Sequence, residues 1–144
     1  MLVDANLLLF AVDDRSAFHA AARDWLVQRL TGARRVGLPW QSLGAFCRIA
    51  TNTRASNAPL APDVAWKQVA EWLRPAVVWT PAPGERHAEI LGALVNRYQV
   101  RGDLMTDAQL AALALEHGLT VCSADTDFAR FTEVRWENPL AGAV

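Results

Sequence analysis

The stretch Leu2-Val3-Asp4-Ala5-Asn6-Leu7-Leu8-Leu9-Phe10-Ala11-Val12 decides the fold class. Its opening suits a short buried strand, and the apolar run from Leu7 to Val12 suits a helical segment, so strand turns directly into helix with Asp4 at the strand end. A chain that begins this way is the start of a βα unit, and the question is whether the unit repeats.

It does. Phe18, Ala22, Trp25, Leu26 and Leu30 recur at helical spacing before the stop signal Gly32. Val36-Gly37-Leu38 is a candidate second strand ahead of Pro39, and Leu43, Phe46, Cys47 and Ala50 supply one face of the next helix. Asn52 to Pro62 is loop-like. Pro62-Asp63 opens a helix with Ala65, Val69, Trp72 and Leu73 on one side, Pro75 ends it, and Val77-Val78-Trp79 follows as a short strand. After the turn residues Pro81, Pro83 and Gly84, a helix spans about Arg86 to Tyr98. Thr106-Asp107-Ala108-Gln109 has the form of a capping box and predicts a helix that opens there and stops at Gly118, with Asp107 in its first turn. Thr120-Val121-Cys122 reads as a strand, Ser123 to Asp127 as a loop, and Val134-Arg135-Trp136 as a last short strand. This alternation predicts a three-layer α/β/α domain with a mostly parallel central sheet, one domain over residues 1–144.

With 144 residues, 52% of them hydrophobic, the chain can bury one sizeable core. A formal net charge of −1 offers no global attraction for nucleic acid, so any basic footprint is local. Asp4 and Asn6 interrupt the first apolar stretch, and nothing approaches the roughly 18 unbroken apolar residues of a membrane span, which predicts a soluble, cytoplasmic protein with no membrane partner. Cys47 and Cys122 lack metal-ligand spacing and read as core thiols, and His19, His87 and His117 read as surface or boundary residues. No glycine-rich phosphate loop is present.

In open α/β sheets ligands bind beyond the carboxyl ends of the strands, and that is where the acids fall. Asp4 follows the first strand, Asp107 lies at a helix start, and Asp125 follows a late strand with Asp127 close by. Each alone has a local explanation: Asp4 as a helix cap, Asp107 as a favourable charge at a helix dipole, Asp125 and Asp127 as turn residues. If the acids converge, they repel one another unless a cation neutralises them, and hard carboxylate oxygens suit Mg²⁺ or Mn²⁺.

The sequence around the acids resembles a known family. Val3-Asp4-Ala5-Asn6, Thr106-Asp107-Ala108-Gln109-Leu110 and Ser123-Ala124-Asp125-Thr126-Asp127-Phe128 are similar, in that order, to the three acidic signatures of the PIN-domain VapC toxins of VapBC toxin–antitoxin pairs. Phe46-Cys47-Arg48-Ile49-Ala50-Thr51-Asn52 and Arg135-Trp136-Glu137-Asn138-Pro139-Leu140 resemble an actinobacterial branch of that family. The resemblance implies a Mg²⁺-dependent endoribonuclease that cleaves RNA phosphodiesters with water as nucleophile, is inhibited by a cognate VapB-like antitoxin, and assembles as a homodimer. It implies Asp4 and Asp107 as principal metal ligands and Asp125 as completing the cluster. Asp127, Asn6 and Ser123 are weaker candidates around it.

One position departs from the family pattern. Where the family carries a Glu on the helix after the second strand, Gly44-Ala45-Phe46-Cys47-Arg48 here has Ala45. Asp103 is a candidate substitute from the other side of the site. The gap also motivates a second reading, a catalytically weakened PIN domain that binds RNA or antitoxin without efficient cleavage. A receiver-like or phosphatase domain using the same acids lacks a suitably placed Lys or nucleophile motif. Arg48 and Arg54 are candidate RNA-phosphate contacts, with solvated or ion-paired arginine as the alternative. Of the six tryptophans most fall on core faces, while Trp66 and Trp72 are open to contacting antitoxin or a second subunit.

Overall fold

A computed structural model describes residues 1–143. Its central sheet has five parallel strands in the order β3-β2-β1-β4-β5: β1 Leu2–Val3, β2 Val36–Gly37, β3 Val78–Trp79, β4 Val121–Cys122 and β5 Trp136–Glu137. Between them run α1 Ala5–Val12, α2 His19–Leu30, α3 Trp40–Ala50, α4 Pro62–Leu73, α5 His87–Tyr98 and α6 Leu104–His117, with a 3₁₀ turn at Thr126–Arg130. The predicted three-layer α/β/α architecture is observed, and the sheet is parallel throughout.

Both faces of the sheet are buried, as the parallel arrangement requires. Adjacent residues of each inner strand serve opposite faces: Val3 and Cys122 join one core cluster with residues of α1 to α4, while Leu2 and Val121 join the other with residues of α5, α6 and the 3₁₀ turn. β2 approaches its neighbours so closely that a Cβ at Gly37 would meet Pro81 Cγ at 2.9 Å and the Met1 carbonyl oxygen at 3.0 Å. Trp72 is 5% exposed and packs edge-on against Phe46, 4.8 Å between centroids, so it belongs to the core; Trp66 is the exposed member of the pair. Cys122 is buried and Cys47 half-buried, both free thiols, and burial raises the pKa of each. Among the described residues no helix is long and apolar enough to cross a membrane.

Two boundaries differ from the sequence expectation. The last strand lies one to two residues later than the hydrophobic pattern suggested, at Trp136–Glu137, where it pairs with Val121 and Cys122. The sixth helix opens at Leu104, so Thr106 is its third residue and the capping-box reading fails. Gly102, at φ +56°, makes the turn into that helix, and the amides of Met105 and Thr106 already bond back to the Gly102 and Asp103 carbonyls. At the other end Gly118, φ +66°, closes it with its amide on the Ala114 carbonyl, as predicted.

Candidate metal centre

The carboxyl ends of β1 and β4, adjacent in the sheet, deliver Asp4 and Ser123 side by side. Asp4 is the N-cap of α1: its Oδ1 accepts from the Ala5 amide at 2.7 Å. Its Oδ2 accepts from Ser123 Oγ at 2.7 Å and Asn6 Nδ2 at 3.0 Å. The capping role and a place at the site are therefore both realised by one side chain. Ser123 is fully buried, and its hydroxyl also accepts from the Asp125 amide at 3.0 Å and from Asn6 Nδ2 at 2.9 Å. Asn6 Oδ1 in turn accepts from the Ala124 amide at 3.3 Å. Asp4, Asn6 and Ser123 thus form one network that ties the two strand-end loops together.

Asp125 caps the 3₁₀ turn, its Oδ1 accepting from the Asp127 amide at 2.8 Å. That tight turn folds Asp127 back toward Asp125, and the first turn of α6 brings in Asp107. One carboxylate oxygen from each of Asp107, Asp125 and Asp127 lies within 4.8 Å of the others. Asp4 stands beside this triad: burial chiefly, with the charge of Asp125 adding to it, pushes the Asp4 carboxyl up against the opposing hydrogen bonds from Ser123 and Ala5. Asp107 is the most perturbed acid. Burial, followed by the charges of Asp125, Asp4, Asp127 and Asp103, lifts its pKa from 3.8 to about 7.

The donor set suits a hard divalent cation. Two oxygens bound to one Mg²⁺ at about 2.1 Å sit at most about 4.2 Å apart, so oxygens within 4.8 Å need only small side-chain adjustments. Asp107, which has only like charges from Asp125, Asp4, Asp127 and Asp103 acting on it, also favours a cation there. Asp127 has a competing partner in Arg130, whose Nε donates to its Oδ1 at 3.3 Å on the exposed rim.

The remaining sequence candidates spread around this centre. Asp103 occupies the N-cap position of α6 without making a side-chain cap and raises Asp107 through space. Ala45 is half-buried on α3. Four residues before it on the same helical face, Gln41 donates from Nε2 to the Thr106 carbonyl at 2.8 Å, which turns that face of α3 toward the start of α6. Arg48, in the last turn of α3, and Arg54, in the following loop, are exposed and make no ion pair among the described residues; neither contacts the carboxylates directly. Gln41 was not singled out from sequence, although its place one turn before Ala45 was the available signal.

The PIN domain family profile matches residues 1–134. Ribonuclease VapC37 of Mycobacterium tuberculosis is 43% identical over 140 residues, spanning 97% of each chain. Ribonuclease VapC33 of the same species is 39% identical over 140 residues, covering 97% of this chain and 98% of its own. Among solved structures, VapBC-1 from nontypeable Haemophilus influenzae superposes with a TM-score of 0.67 at 16% identity, and FitAcB from Neisseria gonorrhoeae with 0.60 at 19%, each over 96% of both chains.

Proposed function

The chain belongs to the PIN domain family with the VapC ribonucleases as its relatives, and on that premise we propose that it is the ribonuclease toxin of a toxin–antitoxin pair, hydrolysing RNA at the carboxylate cluster with Mg²⁺ or Mn²⁺. The observation that carries the reading is the convergence of Asp107, Asp125 and Asp127 within 4.8 Å, beside Asp4, at the carboxyl edge of the sheet. Asp107, Asp125 and Asp127 supply the close oxygens, and Asp4 adds the fourth charge through the oxygen that faces only the Ala5 amide. A hard divalent cation there supplies neutralisation of the cluster and Lewis-acid activation of water and phosphate.

The chain's own groups do the positioning. Three donors hold Asp4 in one orientation, the buried Ser123 hydroxyl fixes the Asp125 backbone relative to it, and the 3₁₀ turn sets Asp127. Asp4 and Asp125 are thus held in place before any ligand arrives, which lowers the reorganisation needed for catalysis. Arg48 and Arg54 are assigned to the RNA backbone, where exposed guanidinium groups can pair with phosphate oxygens.

In this reading the partner surface is the groove beyond the C-terminal half of α1. A groove of about 800 Å³ between α1, α3 and the 51–60 segment is lined by Leu9, Phe10, Phe46, Ile49 and Leu60. Its lining is mostly apolar, with Asp13, Asp14 and Arg15 also on it, and would take the hydrophobic residues of a VapB-like antitoxin, whose Arg or Lys would reach the carboxylates. The active assembly is a homodimer in this reading.

Asp4→Asn, Asp107→Asn and Asp125→Asn test the centre: each is expected to suppress Mg²⁺-dependent RNA cleavage with circular dichroism preserved. Wild-type rates in all three would remove the assignment. Ala45, which leaves a helical face without its acid, favours a second reading as a weakened nuclease. RNA binding without cleavage that responds to Mg²⁺ or EDTA would select it.

A further inference from the structure

Two tryptophans that the fold does not use stand at the same edge of the sheet. Trp40 opens α3 directly after β2 and is 52% exposed; Trp66, on α4, is 56% exposed. Their rings are stacked, planes 11° apart and centroids 6.3 Å apart. Leaving two indoles more than half in water is costly for the chain alone, because each ring offers a large apolar face that burial would stabilise.

Trp40 also walls a cleft of about 310 Å³ between the start of α3, the turn after β3 and the outer face of α6. Pro81 and Leu113 make its apolar sides, and Gln41 and Gln109 bring amides to it. No carboxylate lines the cleft, but it and the acidic cluster share the first turns of α6, on different faces of the helix. Gln41 holds the Thr106 carbonyl, one residue from Asp107, and Gln109 lies on the same first turns of α6 as Asp107. Gln41 is committed to that bond, whereas Gln109 makes no side-chain hydrogen bond among the described residues and is exposed.

We propose that Trp40, stacked on Trp66, and Gln109 form a subsite for one unpaired base of the RNA, to one side of the acidic cluster. The proposal rests on the ribonuclease reading above. The indole supplies the stacking face, which accepts any base, and the Gln109 amide, carrying both a donor and an acceptor, discriminates among base edges. The volume is at the lower end of that of small-molecule sites, roughly 300–1,000 Å³, which suits a single nucleoside. Single-stranded RNA is recognised in this way, by unstacked bases laid on aromatic side chains. A second copy of the chain is a poorer occupant. The exposed surface of α4 around Trp66 includes Pro62, Val64 and Ala70 but is broken by the charges of Asp63, Lys67 and Glu71, a mixed surface that suits a stacked base better than a continuous apolar contact between copies.

The test uses the full chain with Asp125→Asn as cleavage-disabled parent, in Mg²⁺, and measures anisotropy of end-labelled rA, rU and rC dodecamers. Trp40→Ala, and separately Trp66→Ala, are expected to weaken binding of every homopolymer, Trp40→Ala by about 5-fold or more. Trp40→Phe should recover most of that loss, since a smaller ring still stacks. Gln109→Leu should change the ranking of the homopolymers, an effect that loss of fold does not produce. RNA affinity within about twofold of the parent in Trp40→Ala overturns the subsite. So does a Trp40→Ala variant whose sedimentation shows lost self-association while RNA binding is unchanged, which assigns the rings to a second copy. No RNA binding by the parent also overturns it, and overturns the ribonuclease reading as well only if the wild-type chain fails to cleave.

Discussion

Asp107→Asn should make the metal-free protein more stable while removing its activity, and the structure sets the size and the pH window of the effect. Asp107 ionises near 3.8 when unfolded and near 7 in the folded, metal-free chain. The folded state therefore holds the proton more tightly: the stability this contributes is fully present below pH 3.8 and is lost as pH rises through 7. A shift of about 3 units at about 1.36 kcal/mol each gives a ceiling of ~4 kcal/mol, which partial solvent exposure and screening reduce to ~1–2 kcal/mol. Asn keeps the shape and removes the charge. At pH 8 in EDTA the variant should melt about 3–6 °C above wild type, at about 3 °C per kcal/mol for a chain of this size. At pH 4 the two should melt within about 1 °C of each other. Adding Mn²⁺ or Mg²⁺ at pH 8 should reverse the order, because the wild type gains a ligand that the variant binds weakly. Differential scanning calorimetry at the two pH values, with and without metal, measures all four melts. An Asn variant no more stable than wild type at pH 8, or an equal gain at both pH values, would refute the charge-cluster argument.

Three further outcomes follow from neighbouring residues. Ser123→Ala removes a buried hydroxyl that serves Asp4, Asn6 and Asp125; it should cost ~1–3 kcal/mol in urea denaturation and about 10–100-fold in RNA cleavage, the size expected for a group that orients ligands. Ala45→Glu should tighten Mn²⁺ binding in calorimetric titration and lower the metal-free melting temperature together; no change in either would mean that Ala45 does not face the centre. Ile49→Asp, in the apolar groove, should weaken inhibition by the antitoxin of the neighbouring gene by more than about 10-fold while free-toxin cleavage stays within about twofold; unchanged inhibition would move the antitoxin to another surface.

The architecture was legible because its signals are local and repeated. Punctuation at Asp4, Pro39, Pro62 and Gly118 marks helix starts and a helix end that the structure places within a residue or two. The inner strands, only two residues each, alternate faces between two cores, so their short apolar runs carry little periodicity to miscount. The misread boundary at α6 has a physical cause. Thr106 and Gln109 have the residue types of a capping box, yet the positive φ of Gly102 lets the chain enter the helix three residues sooner, and tertiary geometry overrides the local motif. Trp72 shows the converse: its place in the helical stripe already pointed inward, and it lies against Phe46 rather than on a partner surface.

The acids were legible as candidates but not as a geometry, since residues separated by about a hundred positions meet only through strand order. Placing β4 beside β1 brings Ser123 onto Asp4, a contact no spacing along the chain encodes. The 3₁₀ turn then decides which acids are nearest: it draws Asp127 into the tight group with Asp107 and Asp125, while the bonds that make Asp4 a helix cap hold it to one side. Sequence reasoning ranked Asp4 ahead of Asp127 on family resemblance, and backbone geometry is what brings Asp127 level with it. The cap does not compete with a role at the centre, because the same hydrogen bonds that terminate a helix also hold a carboxylate still. Burial then opposes ionisation at Asp4 and Asp107, and the stability lost there is what a bound cation would return.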